Sequence, residues 1–277
     1  MRLILLLSLC ALATAGGTQA HAQAIPASMV QAFPDPAFRA MVIEKYDTDG
    51  DGKISQSEAL AVTRITIYGD QITSAEGIQY FSNIDALICN APNLRTLDIR
   101  RNRALKNVLI SKSLLTQIDL SENMALETMG CINTRLTTID LHDHKSLKSL
   151  RCDNNSSLRS INVNGCTALN TLTCAKCQLT SLDLSTNSAL SWLWCNDNKI
   201  ESLNLVNTNL ETINCTMPSL KVIAVKKNTN IGRLKQSIAR TTNILLVDEH
   251  GNREFYQEPE VNAEALLFLL IGSGIGF

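Results

Sequence analysis

Aromatic side chains are scarce in this chain, only 4% of 277 residues. That usage suits a repeat protein better than a compact enzyme with one large core. Excess charge is missing too. Lys and Arg total 25 against 26 Asp and Glu, giving a net charge of −1 and a pI near 6.4. No basic footprint for nucleic acid follows from that balance. The sequence also lacks a glycine-rich phosphate loop, a nucleophile–base set and a convergent carboxylate pair, so it reads as a non-enzyme. A chain of this length can bury one sizeable core, or a solenoid with a small cap.

Long apolar runs occur only near the two ends. Arg2 followed by Leu3 to Ala15 is too short to span a bilayer and reads as an export signal, with Ala20-His21-Ala22 before Gln23 the expected cut. Residues 1–22 are therefore expected to be removed and the protein to be secreted or cell-surface. Cys10 follows bulky Leu9, where a lipidation signal requires a small residue, so it reads as part of the discarded leader. At the other end, 261–277 form an apolar tail, most marked from Ala265 to Phe277. As a helix that stretch reaches about 20 Å, short of the roughly 30 Å hydrocarbon core. Packing on the cap, self-association and membrane contact through the tail all stay open.

Between the ends the sequence repeats about every 21 residues. Cys89, Ile110, Cys131, Cys152, Cys174, Cys195 and Cys215 mark the beat, at intervals of 21, 21, 21, 22, 21 and 20. Each repeat has a front half, Leu-x-x-Leu-x-Cys-x-x-Asn-x-Leu, clearest from Leu190 to Ile200. Its return half is Leu-Asp-Leu-Ser-x-Asn-x-x-Leu, clearest from Leu182 to Leu190. Alternation around the cysteine is strand-like. One such unit cannot close a core, but a stack buries a continuous column. Ile99, Leu120, Leu141, Val163, Leu184, Leu205 and Val225 keep the same period on the return side.

The register decides how the cysteines are read. Equivalent positions on parallel strands lie about 4.8 Å apart with side chains pointing the same way, whereas disulfide Cβ atoms prefer about 3.8 Å and converging vectors. The ladder is expected to be free buried thiols. Cys174-Ala175-Lys176-Cys177 could suggest redox or zinc chemistry, but Cys177 takes the corner held by Asn155 and Asn198, and Cys166 a corner like Asn102, Asn123 and Asn187. Corner asparagines are expected to satisfy turn backbone. The row Asp98, Asp119, Asp140, Asn162, Asp183 and Asn204 should lie on the solvated outer face. His142 and His144 occupy an outer and a corner position, so they should diverge rather than chelate.

Residues 24–65 read as a helical cap. Asp35 can N-cap a helix with Pro36 in its first turn, running Ala37 to about Tyr46 with Phe38, Met41, Val42 and Tyr46 on one face. The stretch 47–58 then resembles an EF-hand calcium loop. Asp47, Asp49 and Asp51 stand at alternate positions, Gly52 at the sharp turn, Lys53 offers its carbonyl, Ser55 a direct or water-mediated ligand, and Glu58 the bidentate twelfth position. A hard cation needs six to eight oxygens, which alternate residues of a turning loop supply. Ser55 and Glu58 also form a capping box for a helix expected from Gln56 to about Arg64, but a capping box explains neither the three aspartates nor Gly52. Ca2+ is the expected ion, as a structural pin.

Repeats are expected over 62–231, beginning with a strand at Val62 to Ile67, and a C-terminal cap over 232–260 with a short helix and a hairpin closed by Asp248 to Asn252. The cysteine-bearing repeat resembles the internalin-J-like leucine-rich repeats of bacterial surface proteins, and the order of leader, EF-hand-like cap and repeats resembles secreted proteins of Bacteroidetes. The resemblance covers about Phe33 to Val225 and departs from the family in having no sortase-type anchor motif. It implies an α/β-type repeat solenoid: a curved leucine-rich repeat of parallel strands, with a small helical cap. Such folds imply a binding or adhesion module for a protein or glycan partner, with a calcium-dependent self-assembling surface protein as the alternative.

Binding should fall on outward residues of the front strands, among them Ile88, Leu109, Ile132, Arg151, Thr173, Trp192, Trp194 and Asn214. Of these, Trp192, Trp194, Arg151, Ile132 and Asn214 are the candidate partner contacts. Trp192 and Trp194 are the two tryptophans of the chain, and their spacing puts both on the same side of one strand.

Overall fold

A computed structural model describes residues 24–257. The proposed leader and the apolar tail from 261 onward lie outside the described residues. The chain opens with three helices, α1 (Met29–Ala32), α2 (Pro36–Tyr46) and α3 (Gln56–Ala61). Asp35 caps α2 by accepting from the amides of Ala37 and Phe38, and Pro36 fills the first helical position, where no donor is needed. α3 stops at Ala61, short of the expected Arg64, because the chain turns at Val62 into the first strand.

Strands then alternate between two faces of a coil. The first four are β1 (Arg64–Tyr68), β2 (Ala86–Asn90), β3 (Asn107–Ser111) and β4 (Thr128–Ile132). From there return strands appear among the front ones: β5 (Thr138–Asp140), β6 (Ser149–Arg151), β7 (Ser160–Asn162), β8 (Thr171–Thr173), β9 (Trp192–Trp194), β10 (Ser202–Asn204) and β11 (Thr212–Asn214), with β5, β7 and β10 on the return side. The chain closes with β12 (Val222–Lys226), helix α4 (Ile231–Lys235), β13 (Asn243–Val247) and β14 (Arg253–Phe255). The front sheet is eight-stranded and parallel, in the order β1-β2-β3-β4-β6-β8-β9-β11. On the return side β5 pairs with β7, and β10-β12-β13 run parallel before β14 turns back antiparallel. The result is a parallel-strand solenoid of about nine turns.

Register follows the repeat. Cys89 pairs with Ile110 and Ile110 with Cys131 on neighbouring strands, and every ladder residue is fully buried. The column reaches further than the cysteines. Ile67 pairs with Cys89 and begins it. At the far end the Cys215 amide donates to Ser237 as the Cys195 amide donates to Asn214, which puts buried Ile238 in the next ladder position. The coil therefore continues through a degenerate turn that carries no Leu-x-Cys pattern, and β13 extends the return sheet beside β12.

Two devices turn the corners. Two residues after the ladder position the backbone is left-handed at Lys112, Asn133, Asn154, Lys176 and Asp197. Each of those amides donates to a carbonyl of the following repeat, which holds a conformation that costs a lysine about 1 kcal/mol or more. The corner side chains then satisfy carbonyls of the preceding turn and, at Asn198, of its own turn as well. Asn123 donates to Ile99 and Asn102, Asn187 to Val163 and Cys166, and Asn198 to Cys174 and Cys195. Cys177 and Cys166 imitate this with their thiols, Cys177 reaching the carbonyls of Cys152 and Ala175 and Cys166 that of Leu141. His144, also in a corner, reaches the Leu120 carbonyl with Nε2, while exposed His142 turns to Asp140. The two histidines diverge.

Scarce aromatics are concentrated where the cap meets the coil. The Phe33 ring lies 6.1, 5.8 and 6.0 Å from those of Phe38, Tyr80 and Phe81, and Tyr46 lies 5.6 Å from Phe81. Gly77, with φ +106°, passes so close to the Phe33 ring and the Ala32 carbonyl that no side chain fits there. Asp35 ties the same junction together. One oxygen caps α2, while the other accepts from Thr73 N, Thr73 Oγ1 and Ser74 N at 2.9, 2.9 and 3.0 Å.

Candidate functional site: the front face and the cap loop

Front strands alternate inward and outward residues, so the pairings lay the outward ones in rows across the sheet. One row runs Thr66, Ile88, Leu109, Gly130, Arg151, Thr173, Trp194 and Asn214. Trp192 belongs to the parallel row that includes Ser149, Thr171 and Thr212. Ile132 lies one row further along, at the same level as Ser111. The candidate contacts thus share one face but not one line.

Trp192 and Trp194 are 39% and 41% exposed, high for such large apolar groups, and their rings lie 5.5 Å apart at 44°. Ile88 and Leu109 are exposed side by side on β2 and β3, with Tyr68 on β1 beyond them. Gly130 makes this patch possible: a Cβ there would collide with the end of the Leu109 side chain. From Ile88 to Trp194 the sheet spans five strand spacings, about 24 Å.

Polar groups separate the two apolar patches. Arg151 is exposed between them and Thr173, expected to be exposed, is 4% exposed; Ile132 beside them is half-buried, as is Asn214 beyond Trp194 on β11. Its hydroxyl donates to Asp153, which also accepts the Ala175 amide at 2.8 Å. Asp153 was not anticipated from the sequence. It sits one residue past the ladder position, just beyond β6, and only the register shows that it holds the next turn.

The outer face of the coil is a solvated row of turns. Asp98, Asp119, Asp140, Asn162, Asp183 and Asn204 each accept the amide two residues on. Arg100 sits 2.7 Å from Asp98 and 3.9 Å from Asp119. Exposed pairs of this kind contribute little to stability.

At the cap, the loop between α2 and α3 gathers carboxylates. Asp47, Asp49 and Glu58 each bring one oxygen within 4.8 Å of the others, the one such group among the described residues. Asp51 is not part of it. Gly50 and Gly52 are left-handed, and the loop closes on itself: Asp47 accepts from Gly50 and Gly52, Asp49 from Asp51, and Asp51 from Lys53. The Ser55 amide above all, with the hydroxyl and amide of Thr48 and the Ser55 hydroxyl, holds the Glu58 carboxyl down at about 2. Both Glu58 oxygens are thereby engaged. The donor set fits a hard cation in type, with Lys53 and Ser55 on the same turn. Full chelation would require Glu58 to exchange its Thr48 bonds for the ion.

The buried thiols are poor nucleophiles in the folded chain. Burial pushes the Cys89 thiol up to about 12 and Cys166 and Cys177 to about 11. A thiol held that far above neutrality presents almost no thiolate, which is the reactive form. All eight cysteines among the described residues are free.

No family model matches the sequence, and no curated protein is similar to it. Solved structures are. The functional domain of InlJ from Listeria monocytogenes, which includes a cysteine ladder, shares 23% identity with a TM-score of 0.53, over 78% of this chain and 56% of that one. An internalin C2 from the same organism shares 20% with a TM-score of 0.54, over 82% and 99%. The fold is an internalin-type leucine-rich-repeat solenoid. The chain spans little more than half of the InlJ domain, and at these identities the likeness concerns architecture. No helix among the described residues is long and apolar enough to cross a membrane.

Proposed function

We propose that the chain is a binding module that presents its front sheet to a protein partner. The carrying observation is the exposed Trp192–Trp194 pair on a rigid parallel sheet, with a second apolar patch at Ile88 and Leu109 about 24 Å away. Paired tryptophans are the side chains most often found as interface anchors, because each buries a large area at small entropic cost. Arg151, with Ile132 on the neighbouring strand, supplies orientation between the anchors, and Asn214 adds a polar contact beyond Trp194. The internalin-type fold agrees with a scaffold whose surface rather than whose interior does the work. Export to the cell surface or medium belongs to the same reading, as does the absence of catalysis.

The test is to probe the immobilised full chain with panels of purified extracellular protein domains and of glycans. A protein ligand should be captured, and Trp192→Ala with Trp194→Ala should weaken it at least tenfold while the circular dichroism stays the same. That follows from about 2 kcal/mol per anchor. Capture that the double substitution leaves intact removes the front face as the site, and a ligand found only among glycans overturns the choice of a protein partner.

The cap loop is read in the same proposal as a Ca2+ site that pins α2 to α3. Three converging carboxylates and a left-handed Gly52 support it. Asp47, Asp49, Asp51 and Glu58 would supply charge, with the Lys53 carbonyl and Ser55 completing the shell. Affinity should fall near 10⁻⁴–10⁻³ M, about the range of extracellular modules. Calorimetry should show calcium uptake by the native chain and none by Asp47→Ala. Equal heats from both would remove the ion from the account.

A further inference from the structure

We propose that Cys195 and Cys215 are a disulfide-forming pair, a modification site that fastens the last two front strands together. Their sulfurs lie 2.7 Å apart, with both side chains fully buried. That separation is only about 0.7 Å longer than a disulfide bond of roughly 2.0 Å. The Cys152 thiol also meets its ladder neighbour Cys131, but it has a second partner, donating to the Thr173 carbonyl at 3.3 Å.

The reason lies in the position of the pair. In-register neighbours on parallel strands have Cα atoms near 4.8 Å, inside the disulfide range, but their parallel Cβ vectors leave the sulfurs apart unless one side chain leans. An interior rung has a ladder neighbour on each side. Cys215 is the last cysteine rung. β11 ends the front sheet, and beyond it stands Ile238, on a segment held by the Cys215 amide through the Ser237 carbonyl. The interval from Cys195 to Cys215 is also the shortest in the ladder, 20 residues. Its sulfur therefore turns toward Cys195.

The chemistry needs an oxidant, which we name as a low-molecular-weight disulfide. One cysteine thiolate attacks that disulfide, forming a mixed disulfide and releasing one thiol. The second cysteine thiolate then attacks the protein sulfur of the mixed disulfide, closing the Cys195–Cys215 bond and releasing the second thiol. The protein loses two protons and two electrons, and the small disulfide is reduced to two thiols. Contact between the two thiols, together with burial, holds the Cys195 thiol well above its ordinary value. Thiolate is thus rare in the folded core, and the bond forms as the chain folds.

Trp194 and Asn214 directly precede the two cysteines, so the bond would lock the strands that present the tryptophan end of the front face. The experiment refolds the full chain with oxidised glutathione. It then unfolds the product in acid, alkylates it without reduction, and maps the digest by mass spectrometry. One linked peptide pair is expected, joining Cys195 to Cys215, with two fewer alkylated thiols than in the reduced chain. The refolded chain should also melt at a higher temperature than the same sample after reduction. Cys215→Val, a ladder substitution in the manner of Ile110, should abolish the linked pair and the effect of reductant on melting. Full alkylation of every cysteine in the oxidised chain, or a bond mapped instead to Cys131 and Cys152, would overturn the proposal.

Discussion

Replacing Asp35 by alanine should unfasten the cap from the coil. The carboxylate receives five hydrogen bonds, two from the first turn of α2 and three from Thr73 and Ser74. Losing the N-cap costs about 1 kcal/mol. Losing the tie to Thr73 and Ser74 removes charge-assisted bonds worth about 1.5–3 kcal/mol in a site that water does not fill. The substitution should therefore cost about 2.5–4 kcal/mol, and Asp35→Asn, which keeps one acceptor oxygen, roughly half. Both tryptophans lie at the far end of the coil, so their fluorescence reports that end and not the junction. Amide hydrogen exchange across 36–81 is the appropriate measure, since stability in a repeat array is local as well as global. Acid should act through the same group. Burial raises the Asp35 carboxyl, but the bonds from Phe38, Thr73 and Ser74 outweigh it and the net displacement is downward. A carboxyl depressed by folding lends stability above its unfolded value and loses it as pH falls through the folded one. Protection of the junction should thus decline on acidification below the ordinary carboxylate range of about 3.9, and Asp35→Ala should flatten that decline. If junction amides exchange at the native rate in Asp35→Ala, the carboxylate does not hold the cap and the reasoning fails.

Other perturbations separate the structural devices. Asn187→Ala strands the buried carbonyls of Val163 and Cys166 and should cost about 2–3 kcal/mol in urea unfolding. Lys176→Asn places a residue tolerant of the left-handed region at φ +57° and should raise stability by about 0.5–1 kcal/mol in the same assay. Gly77→Ala drives a methyl into Phe33 and the Ala32 carbonyl and should cost more than about 2 kcal/mol. Gly69→Ala, at φ +121°, meets only open space and should lose only backbone strain of about 1–3 kcal/mol, so it should melt above Gly77→Ala, which carries similar strain and the clash as well.

Much of the coil was legible because its information is periodic. Once Cys89 through Cys215 fix the beat, inward and outward residues follow without a structure, and the corner roles of Cys177 and His144 with them. What escaped was aperiodic. Ile67 and Ile238 end the ladder, but an isoleucine without a neighbouring cysteine carries no mark of its column. Asp35 showed its capping role in the four residues around it, while its bonds to Thr73 and Ser74 span 38 and 39 residues. Thr173 faces outward as its strand position requires, yet it is covered, because exposure depends on the rows beside it. The cap loop presents its acids in ligand order, but hydrogen bonding within the loop decides how many converge, and Asp51 stays out of the group.

The same contrast bears on the face proposed for binding. A solenoid fixes the spacing between rows through its backbone pairing, so a substitution on the outer side of a front strand changes chemistry without moving its neighbours. Trp192 and Trp194 could vary independently of Ile88 and Leu109, since they belong to different repeats joined only through intervening rungs. Gly130 breaks that independence at one place, because a side chain there would displace Leu109. Asp153 breaks it at another, tying its own strand to β8 through Thr173 and Ala175. The face thus consists of two adaptable apolar ends on either side of a fixed polar middle. If the face binds as proposed, partner orientation should be set at Arg151 and Asp153, and affinity at the tryptophans.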